Sequence, residues 1–433
     1  MQRHAPKLLE VLGISFVVLL VVTVLFFAGK IIWANVKVAQ TIASLRAAGE
    51  PVGLADLTPK PIPPEDDAAT YLRRAASENE AIRKDVHVIY DGLPEAEQEE
   101  FDAGQPSPAM VAAIRAALAA HPDSLPLLAR AARCSDYYPQ SSVIADTQVF
   151  MKNVLANVNT MRGAVRVLDY RVQLSLADGR PQEALSACLD MLRLARHFDR
   201  EPMLTNYLLN LAVRGVAIRS ANRILRAGPH SDAEHDSLAA ELACHNLVNA
   251  YQQALRTERA FGLQSFDEMP SPFFHKADQR DYLDLIEAGL PAMSTPLANS
   301  SSHAQTATII GRAGPLTKLV APATQAMQVA ATRTLAEMRC LRVLNELVRH
   351  EQHAETAKPE IADLGLPADV IVDPFDGKPL RVKKLADGWL VYTVGQNQKD
   401  DGGNLTDYQD VGLGPVQTRE PESKTDNAKK QSP

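Results

Sequence analysis

Apolar residues follow three regimes along this chain. From Val11 to Gly29 they are nearly continuous, and the 19 residues VLGISFVVLLVVTVLFFAG carry no charge. From about residue 66 to 357 they recur three and four positions apart, the period of a helix with one buried face. Between Leu380 and Val394 they alternate every second position, the period of a strand. The pattern predicts a mainly α protein. It would have an N-terminal transmembrane helix, a helical-hairpin bundle or short TPR-like solenoid, and a small C-terminal β-hairpin.

The first run, as a helix, covers about 29 Å and matches a hydrocarbon core of ~30 Å. The expectation is a single-pass anchor over residues 1–48, with the bilayer contacting residues 11–33 and with Lys30 and Trp33 at the interface. No small-x-small cleavage site stands in KIIWANVKVAQ, which favours an uncleaved signal anchor over a signal peptide. Basic residues flank the run evenly, Arg3 and Lys7 before it and Lys30, Lys37 and Arg46 after it, so they set no orientation. The short N-terminal flank favours the inner (cytoplasmic) membrane, with the body outside the cytoplasm. Gly49 stops the helix. Pro51, Pro59, Pro61, Pro63 and Pro64 then make residues 49–65 a stiff connector, expected to hold the body off the membrane.

Helices are expected over Asp67–Lys84, Pro94–Phe101, Pro108–Ala120, Leu125–Ala132, Ala145–Ala177, Pro181–Phe198, Pro202–Ala227, Asp232–Phe266 and Leu316–Thr356. ADGRPQEAL places Gly179 just past one helix and Pro181 at the start of the next, and Ser231 caps another. Residues 263–313 interrupt this body. They carry Phe273, Phe274, Tyr282, Leu283 and Ile286, and are expected as a surface excursion with one short helix that binds a protein partner. Residues 358–416 form the β-tail, with Asp387-Gly388 as its two-residue turn. Residues 417–433 are polar and expected to be disordered.

A net charge of −7, an aromatic content of 5% and the lack of a dense Lys/Arg run argue against nucleic acid as a partner. Cys134, Cys188, Cys244 and Cys340 are far apart, with no CxxC pair for zinc. Cys188 and Cys244 sit among apolar helix formers and read as small buried hydrophobes. Phosphate-loop, dinucleotide, GxSxG and HExxH motifs are absent. In HEQHAE, His350 and His353 stand three apart, one short of the spacing for two imidazoles on one metal. Glu258 and Arg259 lie within an apolar helix, where they can pair with a neighbour and fix packing. After the hairpin, Asn397, Asp400, Asp401, Asn404 and Asp407 crowd oxygen donors beside Gly402 and Gly403. Calcium takes six to eight such oxygens. The alternative is a solvated loop.

Two resemblances accompany these readings. The segment 170–198, with Leu174, Ala177, Gly179, Ala184 and Leu189, resembles a tetratricopeptide-type hairpin. Asp373-Pro374-Phe375, Gly377-Lys378-Pro379-Leu380, Tyr392 to Gly395 and Asp400 to Gly403 resemble the C-terminal β-region of type II secretion major pseudopilins. That second resemblance covers about 40 residues and implies a calcium role for Asp400 or Asp401. The start, HAPKLLEVLG, departs from the pseudopilin pattern, and so does the long helical body. The chain as a whole is similar to a group of bacterial single-span, membrane-anchored helical proteins, which implies the architecture and no particular activity. The leading expectation is a scaffold or protein-interaction module without catalysis. The alternatives are an accessory component of a pilus-like or secretion apparatus, and a hydrolase whose site is assembled from scattered residues.

Overall fold

The computed structural model describes residues 5–138, 147–201, 203–270, 275–299, 302–353, 359–406 and 409–415. Helices dominate in the order α1 (Ala5–Ala47), α2 (Ala68–Tyr90), α3 (Glu95–Asp102), α4 (Pro108–Ala120), α5 (Ser124–Arg133), α6 (Thr147–Ala177) and α7 (Pro181–Phe198). Then follow α8 (Leu204–Arg226), α9 (Asp232–Ala243), α10 (Leu247–Glu268), α11 (Lys276–Gly289), α12 (Ser302–Arg312) and α13 (Pro315–His353). The chain closes in a sheet of β1 (Arg381–Leu385), β2 (Gly388–Thr393) and β3 (Val411–Leu413), antiparallel and in that order.

Local chemistry sets these boundaries. Asp67 caps α2 through the N–H of Ala69, and Ser231 and Glu234 form a reciprocal capping box on α9. Gly179 takes φ of 68°, and Pro181 opens α7, which folds α7 back along α6. The single helix expected over 232–266 is two. The break falls at Cys244–Asn246, where the Asn246 side chain accepts from the N–H of Asn249 and starts α10 afresh. Cys244 is exposed there, against the expectation of a buried residue, whereas Cys188 and Cys340 are buried; all four cysteines are free.

α2, α4–α8, α13 and the sheet share one continuous apolar core. A second cluster lies where α8, α10, α11 and α13 meet. The 263–313 segment differs from the surface excursion expected. It holds both α11 and α12, and Tyr282, Leu283 and Ile286 are buried. The N–H groups of Leu297 and Ala298 bond the carbonyls of Pro374 and Phe375, so the segment is also stitched to the tail. Amphipathic spacing in YLDLIEAG was the signal; the flanking Pro and Ser obscured it. Phe273, Phe274 and residues 417–433 lie outside the described residues.

The connector also differs from a spacer. Ala34, Val38 and Leu45 of α1 are buried, and Val38 packs with Leu263 and Leu283. Glu50 pairs with Arg256 and Arg259 of α10, and the N–H of Leu54 bonds Gln264. The second half of α1 is therefore docked on the body rather than held away from it. Prolines make a segment stiff but do not stop its flanking charges and leucines from finding partners.

In the tail, residue pairs Lys384↔Trp389 and Leu385↔Gly388 place the turn at Ala386-Asp387, one residue earlier than expected. Trp389, Val391 and Leu413 join the main core. Glu351 of α13 takes hydrogen bonds from Trp389 Nε1 and Lys384 and ties the sheet to the helices. His353, two residues on, meets Asp232.

Candidate binding groove

The second half of α6 runs beside α2 on one side and α8 on the other. Small and apolar residues (Gly163, Ala164, Val165 and Val167) face inward, while Arg162 and Arg166 point out one turn apart. Two concavities open along this ridge. One, of about 400 Å³, lies between α2, α3 and α6 and includes Arg83, Lys84, His87, Phe101, Arg166 and Tyr170. The other, of about 290 Å³, lies between α6 and α8 and includes Arg83, Arg162, Arg166, Val213 and Val216. Arg83 and Arg166 line both, so the two form one groove.

The acidic residues in this groove are already engaged. Glu80 pairs with Arg83, and Asp102 accepts from the Tyr90 hydroxyl at 3.0 Å. Asp169 accepts from Gln173, Ser220 and Arg223 at 2.9, 3.2 and 3.2 Å. Lys84, Arg162 and Arg166 have no ion pair among the described residues. Burial raises the Tyr170 hydroxyl above its ordinary pKa while the Arg166 charge opposes it, so the cation is felt at the apolar floor. The result is a cationic groove with apolar walls on a chain of net charge −7. α8 and α13, by contrast, pack directly against each other in the core. Sequence reading missed this groove. Arg162 and Arg166 were visible as an i, i+4 pair, but the opposing Arg83 and Lys84 lie about 80 residues away in sequence.

The calcium-type donors form a hydrogen-bonded loop. Asp400 accepts from the Gly402 N–H at 3.0 Å and from the Tyr392 hydroxyl at 3.2 Å, with Arg381 3.5 Å away. The Gly402 hydrogen bond and the nearby cations hold the Asp400 carboxyl below its ordinary value. Asn397 donates to Asp401 at 2.7 Å, and Lys383 Nζ sits 2.5 Å from the Gly402 carbonyl. Asp410, unremarked in the sequence, accepts from the N–H groups of Asp401 and Gly403. Asp407 lies outside the described residues. Among the described residues, no group of three or more His, Cys, Asp or Glu is placed to hold a metal ion.

A buried Glu/His cluster exists at the α7–α8–α9 junction. Arg214, fully buried, clasps Asp199 at 2.6 and 3.1 Å and donates to His245 Nδ1 at 3.2 Å. His245 Nε2 lies 3.6 Å from Glu241, which Arg196 grips at 2.7 Å. Burial pushes Glu241 up, but hydrogen bonds and charge from His245 and Arg196 outweigh it and hold the carboxyl at about 2. Burial, with Arg214 beside it, lowers His245 below its ordinary value. A general acid or base must reach its substrate. The His245 side chain is wholly enclosed, so the cluster works as a clasp between helices.

Comparison of the chain with family models, with characterised proteins and with solved structures finds no match. The groove therefore stands on its geometry.

Proposed function

We propose that this is a membrane-anchored helical scaffold whose cationic groove holds an acidic segment of a partner protein. One described helix, α1, is long and apolar enough to cross a membrane. In this reading it is a single span in the inner membrane and the body lies outside the cytoplasm. The observation that carries the binding reading is the run of cations, Lys84, Arg162 and Arg166, without acidic partners along one apolar-walled groove. Phe101, Tyr170, Val213 and Val216 supply the apolar contact that lets a folded segment, rather than a free small anion, gain affinity.

The test uses the full-length chain in detergent and a fluorescent peptide of alternating Glu and Leu. The expected result is saturable binding that weakens as salt rises and falls at least tenfold in the Arg162→Glu/Arg166→Glu variant. Binding indifferent to that double reversal overturns the assignment. Photo-crosslinkers at Ala212 and Lys84 in the native cell then identify the partner, with the same double reversal as the control.

A further inference from the structure

Contacts between helix ends place several elements at one end of the body. Arg280, near the start of α11, lies 4.9 Å over the ring of Trp33. One turn further along both helices, Leu283 packs with Val38. Further still, Glu287 and Glu50 share Arg259. Thus α11 climbs beside α1, and its first turn lies where α1 reaches Trp33. Asp278, in that first turn, accepts from the N–H groups of Leu316 and Thr317 at 2.9 and 3.1 Å, which brings the start of α13 there. Asp267 meets Lys276 at 3.1 Å, and Glu268 accepts from Thr147 at 2.5 Å, which adds the end of α10 and the start of α6.

Large apolar side chains exposed on the described body are few: Val88, Ile89, Val149, Leu155 and Leu319. Three of the five belong to this end. Leu319 is 77% exposed, the highest value among them, in the first turns of α13; Val149 and Leu155 lie in the first turns of α6. Lys318 and Lys152 adjoin them, exposed and without an ion pair among the described residues. Exposed leucine next to lysine is costly in bulk water and favourable at a headgroup layer, where the chain buries its apolar part and the ammonium meets phosphate.

We propose that this end is a foot that rests on the bilayer surface, with Leu319 and Val149 in the headgroup layer and Lys318 and Lys152 on lipid phosphates. The inference rests on the reading that α1 spans the membrane. The foot fixes the tilt of the body, so that the cationic groove stands at a set height above the lipid.

The test reconstitutes the full-length chain in nanodiscs of phosphatidylcholine and phosphatidylglycerol. Cys134→Ser and Cys244→Ser remove the accessible thiols. A single environment-sensitive label is then placed by Leu319→Cys, Val149→Cys, Val88→Cys or Val22→Cys. Val88 is the aqueous reference: it lies near Tyr90, which packs on Phe101 and, through it, on Tyr170, about 35 Å along α6 from Thr147. Labels at 319 and 149 are expected to be quenched at least twofold by spin-labelled lipid with a shallow probe. The label at 88 stays unquenched, and the label at 22 is quenched by a deep probe. If 319 and 149 behave like 88 while 22 is quenched, the span stands and the foot is refuted. If 22 is also unquenched, both readings fall. Adding Lys152→Glu and Lys318→Glu is expected to halve the quenching at 319; unchanged quenching refutes the phosphate contact.

Discussion

Replacing Glu258 by Gln should make the protein more stable at pH 8 and leave it nearly unchanged at pH 5. Glu258 sits on α10 with 8% exposure. Its carboxyl accepts from the backbone N–H of Leu204 at the start of α8, while Oε2 has no hydrogen-bond partner. The neighbouring Arg259 turns away to Glu50 and Glu287, and Tyr282 gives its hydroxyl to the Glu258 backbone carbonyl. Burial, opposed only by the Leu204 N–H, raises the carboxyl from 4.5 to about 7. Moving it that far corresponds to about 3 kcal/mol. Between these two values the folded chain keeps a proton that the unfolded chain releases. Stability from this group is therefore greatest below pH 4.5 and is lost as pH rises through 7. Glutamine keeps an oxygen for the Leu204 N–H and carries no charge to desolvate. Its amide leaves a buried donor unmatched, which offsets about 1 kcal/mol of the gain. The net gain at pH 8 is about 2 kcal/mol, or roughly 2 °C in Tm, taking about 2 cal/mol/K of unfolding entropy per residue. The assay is thermal melting of both proteins in one detergent from pH 5 to 8.5, read as the difference between them, so that other titrating groups cancel. A difference that stays flat across this range, or a variant less stable at pH 8, refutes the reasoning.

Two further outcomes follow from the packing. Arg214→Ala should destabilise the body by about 3–5 kcal/mol, because it strands Asp199 and His245 without their shared cation; a melt lowered by less than 2 °C contradicts the clasp. Calcium at 5 mM should move the melting temperature by less than about 1 °C, because Lys383, Arg381 and backbone N–H groups already engage the Asp400–Gly403 oxygens; a rise of several degrees places calcium in the loop.

The sequence by itself determined the elements whose cause is local. The uncharged run from Val11, the Gly179–Pro181 turn, the Ser231 cap and the alternation around Trp389 each depend on neighbours within a few residues, and each element stands where those neighbours put it. The hairpin turn moved by one residue because both Ala386-Asp387 and Asp387-Gly388 can turn the chain; pairing of Lys384 with Trp389 against α13 chose between them. Tertiary structure decided everything that joins distant segments. β3 is three residues long and gains its place from β2, not from its own propensity. Tyr282 and Ile286 looked like a surface excursion until α10 and α13 covered them. The groove exists because α2 and α8 flank α6 and set Arg83 and Lys84 near Arg162 and Arg166. Helix periodicity reports which face a residue occupies, and only packing reports what stands opposite that face.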